Sequence, residues 1–176
     1  MAKLTFVGGI HPYDGKELSK DKPIQDILPG SELVYPLSQH IGAPAKAIVA
    51  KGDRVLTGQK IAESGGFVSA PVYASVSGTV KTIEPRRVVT GDMVMSIVVE
   101  NDGLYEDVGF YPQAPLEKLG REEIIDIVRE AGIVGMGGAG FPTHVKLSPK
   151  EPGKIEYVIA NCAECEPYLT SDYRRM

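Results

Sequence analysis

Val49-Ala50-Lys51-Gly52-Asp53-Arg54-Val55-Leu56-Thr57-Gly58-Gln59 is the stretch that decides the fold. A Gly-Asp pair turns the backbone between two short β-branched runs, and a second glycine, Gly58, turns it again. The device returns at Gly91-Asp92, where Met93 leads into the β-branched run from Val94 to Val99. Both pairs are followed by one residue and then an apolar one, so the segments around them read as two halves of an internally repeated β unit. Working outward, strands are expected at Ala47-Ile48-Val49, Gly58-Gln59-Lys60-Ile61-Ala62, Val68-Ser69-Ala70-Pro71, Ser77-Gly78-Thr79-Val80 and from Val94 to Val99. Leu33-Val34-Tyr35-Pro36-Leu37 reads as an edge strand, because a proline cannot donate to a ladder. Residues 31–100 thus form a β-rich body.

The order V-x-x-G-D-x-V-x-x-G-Q (49–59), V-x-A-P (68–71) and S-G-T-V (77–80) resembles the barrel-sandwich hybrid of biotinyl and lipoyl carrier domains. A carrier needs a lysine on the hairpin between the Gly-Gln and Ala-Pro strands. Here that hairpin is Glu63-Ser64-Gly65-Gly66-Phe67, without lysine. The resemblance therefore implies the fold without its covalent cofactor.

The 176 residues suffice for one ordinary domain or two small ones. Twenty glycines and 13 prolines favour a turn-rich body over a helical bundle. The net charge of −4 argues against nucleic-acid binding, which needs a concentrated basic face. The short basic runs Arg86-Arg87 and Arg174-Arg175 read as solvated surface. No stretch approaches the roughly 20 apolar residues of a membrane helix, the N-terminus lacks a signal-like run, and the only cysteines are Cys162 and Cys165. A cytoplasmic chain is expected, without direct membrane insertion, reaching a membrane only through a partner.

On either side of the body the composition changes. Residues 1–30 read as an irregular arm with a thin strand at Leu4-Thr5-Phe6-Val7. Residues 101–120 read as a linker, opened by the Asn101-Asp102-Gly103 turn and interrupted by Gly109, Pro112 and Pro115. From Arg121 onward, Ile124, Ile127, Val128 and Ala131 recur at helical spacing, Glu122 and Glu123 suit the helix N-terminus, and Gly132 ends the helix. The overall class is α+β: a barrel-sandwich module, then the start of an α/β domain over 121–176.

The chemistry-bearing segment follows that helix: Gly135-Met136-Gly137-Gly138-Ala139-Gly140-Phe141-Pro142-Thr143-His144-Val145-Lys146. It contains G-x-G-x-x-G, yet a helix precedes it and Pro142 follows, so a Rossmann turn is rejected. Glycines this dense fit a backbone passing close to something flat or charged, with N–H groups free to nest a phosphate and Lys146 nearby. The plainer reading is a tight surface loop. A short strand, Tyr157-Val158-Ile159-Ala160, leads to Asn161, Glu164 and Glu166, which can hydrogen-bond a heterocycle edge, ribose hydroxyls or a carboxamide. Alternatively, the two glutamates form an exposed turn. Cys162-x-x-Cys165 cannot close a tetrahedral metal site alone. The pair reads better as small packed hydrophobes, and His11, His40 and His144 form no ligand-spaced pair.

G-x-G-G-A-G-F-P-T-x-x-K followed by N-x-x-E-x-E-P resembles the NADH-binding flavoprotein subunit of respiratory complex I. A fuller match is to the C subunits of Rnf electron-transport complexes. It runs through Gly8-Gly9-Ile10-His11-Pro12, Gln39-His40-Ile41-Gly42-Ala43-Pro44, the Gly-Asp module, and 161–172. The resemblance implies that Gly135, Gly137, Gly138, Gly140 and Phe141 line an FMN/NADH pocket. It further implies Lys146 near phosphate, and Asn161, Glu164 and Glu166 at the flavin–nicotinamide end. Met136 and Ala163 replace an arginine and an aspartate usual in the complex I pattern. The full-length protein would exchange electrons between NAD(H), FMN and two 4Fe–4S clusters, the clusters lying outside this chain. It would work beside other Rnf subunits and, indirectly, ferredoxin, peripherally at the cytoplasmic face of the cell membrane. This chain reads as a fragment, inactive alone. The alternatives are a non-catalytic docking module centred on 31–100 and a flavin-dependent cobalamin reductase subunit.

Overall fold

The computed structural model describes residues 8–10, 12–109, 114–136, 138–160, 164 and 166–175, without the side chains of Tyr173 and Arg175. The expected strand at 4–7 lies outside the described residues. Two compact units emerge: Leu28–Lys154, and Met1–Ile27 together with Ile155–Met176.

The larger unit carries seven strands: β1 (Glu32–Pro36), β2 (Lys46–Ala47), β3 (Arg54–Val55), β4 (Lys60–Glu63), β5 (Val72–Tyr73), β6 (Gly78–Arg87) and β7 (Met93–Asn101). They form two antiparallel sheets, β1-β7-β6-β3 and β2-β4-β5. Strand β1 is an edge, as its proline requires. Both sheets feed one core, with Tyr35, Val55, Ile61, Ala62, Val72, Val80, Ile97 and Val99 among its members. Burial of such β-branched and aliphatic side chains at about 25 cal/mol per Å² is what holds the sheets together.

Strict alternation fails within β6, and a bulge explains why. Val80 pairs with Val99, but the next partner pair is Thr82 with Val98, leaving Lys81 as the extra residue. The slip restores Ile83 to the core side, opposite Ile97. Lys81 instead reaches Glu32 at 2.7 Å. The Gly-Asp turns do repeat, with Gly52 at φ 95° and Gly91 at φ 94°. The strands around them do not: β3 has two residues and β6 has ten.

The strand expected over Val68-Ser69-Ala70-Pro71 is absent, and the ladder begins at Val72. The backbone there is already committed elsewhere. Val68 O accepts the Ala43 N–H at 2.9 Å, and the Ala70 N–H goes to the His40 ring at 3.0 Å. Residues just after β7, within the expected linker over 101–120, bond to the body. Asp102 accepts from Ser77 Oγ (2.7 Å), the Leu104 N–H (2.9 Å) and Arg54 (2.6 Å), and Thr57 exchanges backbone bonds with Glu106 and Val108.

Helix α1 (Arg121–Glu130) starts where Glu123 turns back to accept the Gly120 N–H at 2.7 Å, and stops at Gly132, φ 66°. Its C-terminal end is tied to the small sheet: Lys60 pairs with Glu130, and the Tyr73 hydroxyl donates to the Glu130 carbonyl. The short helix α2 (Thr143–Lys146) follows.

In the smaller unit the described residues contain a 3-10 turn at Lys16–Leu18 and helix α3 (Ser171–Arg175). The strand expected at 157–160 does not form; Tyr157, Val158 and Ile159 are 81%, 93% and 88% exposed. A strand exists only against a partner, and none is offered to it among the described residues. No described helix is long and apolar enough to cross a membrane.

Candidate functional site

The glycine-rich segment is a closed loop. Val134 and Pro142 form an antiparallel bridge at its neck. The Gly135 N–H donates to Phe141 O (3.0 Å), and the Thr143 N–H donates to Ile133 O (3.0 Å). Lys146 places its ammonium 5.7 Å from the centre of the Phe141 ring, within cation–π reach.

The loop is seated on the sandwich module by a strap after β1. The Ile41 N–H donates to Ala139 O at 3.0 Å. His40, buried, braces the strap: its Nδ1–H donates to Ile41 O (2.9 Å), and its Nε2 accepts the Ala70 N–H (3.0 Å). A neutral ring satisfies both bonds. Just after the loop, His144 is 2% exposed and donates from Nε2 to Phe67 O at 2.9 Å, its ring edge-on to Phe67. The hairpin that would carry a lysine in a carrier domain is here the anchor for α2.

The glycines divide into two kinds. Gly140 has φ 62°, and a Cβ there would sit 2.7 Å from Gln39 O and 3.0 Å from His40 Cα. At Gly132, φ is 66° and Pro71 O would be 2.9 Å away. Both glycines are required by packing. Gly138 is different: a Cβ would meet nothing within 4 Å, and its φ is not left-handed. At Gly135 a Cβ would make only an ordinary contact, 3.5 Å from Phe141 N. The protein's own packing leaves the backbone at 135 and 138 bare without needing it bare, which suits the close approach of a flat or phosphorylated ligand. Gly137 lies outside the described residues.

Glu164 and Glu166 belong to the smaller unit, and Asn161, with Cys162 and Cys165, lies outside the described residues. The Glu164 carboxylate accepts the Asp172 N–H at 2.7 Å, at the start of α3. The arm clamps this segment. Lys16 Nζ donates to Leu169 O (2.8 Å) and Glu166 O (3.3 Å), and Ser19 Oγ donates to Tyr168 O (2.7 Å). Arg174 donates to the carbonyls of Ser19 and Lys20 (2.7 and 2.6 Å). Tyr168 holds φ 68°, unusual for a tyrosine, with its N–H on Asp14 O at 2.6 Å and its ring edge-on to Tyr13.

The residues that sequence reasoning left without a role are Gln39, His40 and Ile41 under the loop, and Lys16, Ser19 and Arg174 in the clamp. The Gly- and Pro-rich spacing of Gln39-His40-Ile41-Gly42-Ala43-Pro44 was the one available signal for the strap.

Residues 4–104 match the family model of the RnfC barrel sandwich hybrid domain, and residues 128–176 match that of the Nuo51 FMN-binding domain. The chain is 49% identical over 173 residues to the C subunit of the Na(+)-translocating ferredoxin:NAD(+) oxidoreductase complex of Acetobacterium woodii, covering 98% of this chain and 39% of that one. It is 49% identical to the C subunit of the proton-translocating ferredoxin:NAD(+) oxidoreductase complex of Clostridium ljungdahlii, covering 98% and 38%. It is 42% identical to the C subunit of the ion-translocating oxidoreductase complex of Vibrio cholerae, covering 95% and 22%. The chain thus spans about two fifths or less of the length of these relatives. With a sandwich of two antiparallel sheets in place and more than half of its residues matched by one family model, the chain belongs to the RnfC barrel sandwich hybrid domain family.

Proposed function

We propose that this chain is the sandwich module and the opening of the flavin domain of an electron-input subunit in an ion-translocating ferredoxin:NAD oxidoreductase complex. Functionally, 1–30 serve as an arm, 31–100 as the module, 101–120 as a linker, and 121–176 as the start of the FMN/NADH-binding domain. The observation that carries the reading is the seated loop whose Gly135 and Gly138 stay bare without any demand from the fold. The loop lies in the segment matched by an FMN-binding family model.

Bound FMN would supply the step between two-electron exchange with NAD(H) and one-electron exchange with iron–sulfur centres. The chain's own residues bind and orient. Gly135 and Gly138 would present main chain, a role proposed also for Gly137, which lies outside the described residues; Gly140 holds the loop against Gln39 and His40, Phe141 would wall the pocket, and Lys146 would balance phosphate charge. Asn161, Glu164 and Glu166 address the flavin–nicotinamide end, and the Lys16, Ser19 and Arg174 contacts hold that acidic segment in shape. The two 4Fe–4S clusters belong to sequence beyond this chain. Other members of the complex are the direct partners, ferredoxin an indirect one, and the cytoplasmic face of the membrane the site of action.

Titration of the full-length protein with FMN, followed by anaerobic NADH, tests the reading. Saturable quenching of flavin fluorescence and bleaching by NADH are expected; free flavin that stays fluorescent and oxidised removes the proposal.

A second reading, an assembly module, is favoured by Met93 and Met95, which are 60% and 46% exposed on one face of β7. Under it, M93K/M95K abolishes co-purification with the other members of the complex and leaves flavin binding unchanged. Flavin-dependent cobalamin reduction would use the same loop and is separated by assaying cobalamin as electron acceptor.

A further inference from the structure

The strap after β1, the β4–β5 connection and the glycine loop meet at points where no side chain fits. A Cβ at Gly42 would run into Val68 O, one at Gly65 into Pro44 O, and one at Gly140 into Gln39 O. Backbone bonds cross the same seams: the Ala43 N–H donates to Val68 O at 2.9 Å, and the Ile41 N–H donates to Ala139 O at 3.0 Å. The β4–β5 connection is itself held by Ser69, fully buried, whose Oγ accepts the Gly65 N–H at 2.9 Å. The side chain that ties strap to connection is His40. Its Nε2 lies 3.0 Å from Ala70 N and 3.2 Å from Ala70 O.

We propose that His40 is a positioning residue for the flavin: through the strap it holds the glycine loop in its binding shape before the ligand arrives. The inference rests on reading the loop as an FMN cradle. The loop closes on itself without His40, through the Gly135–Phe141 and Thr143–Ile133 bonds. Where the closed loop stands is set from outside. The Ile41 N–H holds Ala139 O, and the backbone of Gln39 and His40 borders Gly140. Both contacts belong to the strap, and the strap's course is fixed by the His40 ring, which bridges Ile41 O and Ala70.

Ala139 and Gly140 directly follow Gly138, where a side chain would meet nothing. A shift at Ile41 is therefore passed to the bare main chain within one or two residues. A loop already in shape spares the ligand the cost of ordering it. A loop in shape only about a tenth of the time would bind about tenfold more weakly. The module thus does more than carry the flavin segment: it keeps that segment ready.

FMN titration, amide hydrogen exchange and melting of the full-length protein test this together. Wild type should protect the Ile41 and Gly135 amides without FMN. H40N can still bond Ile41 O but is too short to reach Ala70. It should lose that protection and bind FMN about tenfold more weakly, and saturating FMN should restore the protection. H40Q reaches further, with an amide that both accepts and donates, and should recover most of the affinity. V76A truncates the core away from the strap; it should lower the melting temperature and leave FMN affinity unchanged. Wild-type amides that stay open until FMN is added overturn the inference, and that measurement needs no variant to fold. So does H40N with wild-type affinity, a V76A protein that loses as much affinity as H40N, or an H40Q protein whose Ile41 amide opens while affinity holds. Each of these leaves the flavin reading standing. A wild-type protein that takes no FMN overturns both.

Discussion

Gly138 and Gly140 stand two residues apart and answer to different demands. At Gly140 the left-handed backbone and the carbonyl of Gln39 leave no room for a side chain. Gly140→Ala is therefore expected to destabilise the protein by about 1–3 kcal/mol. Gly138→Ala meets nothing within 4 Å, and should shift stability by less than about 0.5 kcal/mol while weakening FMN binding in the full-length protein. Urea melts and flavin titrations of both variants check the pair; equal destabilisation would mean the division between packing and binding glycines is mistaken. Asp102 offers a test of a different force. The Ser77 hydroxyl, the Leu104 N–H and the Arg54 guanidinium hold its carboxyl below the usual aspartate range. A depressed folded value contributes stability that is complete above the unfolded value, near ~3.9 for aspartate, and is lost as pH falls through the folded one. Wild type should exceed Asp102→Asn in urea midpoint at pH 6, and the gap should close below about pH 4. A gap that persists undiminished to about pH 2 would assign the difference to packing instead of charge.

At the scale of elements, legibility tracked how local the cause was. Helix α1 could be read because its cap, its apolar spacing and its terminating Gly132 are all neighbours in sequence. The edge strand β1 was readable from Pro36 for the same reason. The strand expected at 68–71 failed because its backbone is claimed by His40, thirty residues earlier. The bulge at Lys81 was hidden too: alternation from Val80 points Thr82 inward, and only the pairing with β7 shows Ile83 there. Deleting Lys81 should close the bulge into a regular ladder that keeps Ile83 opposite Ile97, so the urea midpoint should move little. A clearly lowered midpoint would show that the bulge, with its Lys81–Glu32 pair, itself supports the strand. The carrier-type hairpin gives a second element-scale expectation. His144→Ala removes a buried ring and its bond to the Phe67 carbonyl, and should cost about 3 kcal/mol. It should also expose amides at 64–67 to hydrogen exchange. Unchanged protection there would show that the hairpin is held without α2.

For the molecule as a whole, composition and motif order pointed to the sandwich, whereas the assembly of the acidic segment could not be foreseen. That assembly depends on Lys16, Ser19 and Asp14 meeting 166–169, contacts about 150 positions apart in sequence. No local pattern encodes them. The same unit exposes Tyr157-Val158-Ile159, a β-prone run whose apolar side chains are 81–93% in solvent. A run with this composition satisfies its backbone and hides its side chains by pairing with another strand, and a second copy of the chain can provide one. The 176-residue chain should therefore self-associate with rising concentration in light scattering. Replacing Val158 and Ile159 by lysine should hold it monomeric, because charges on an exposed strand oppose edge-to-edge pairing. Folding of the sandwich, whose core excludes both positions, should be unaffected in the double variant. Association that is equally strong after the substitution would move the sticky surface elsewhere, with the Met93 and Met95 face of β7 the next to test.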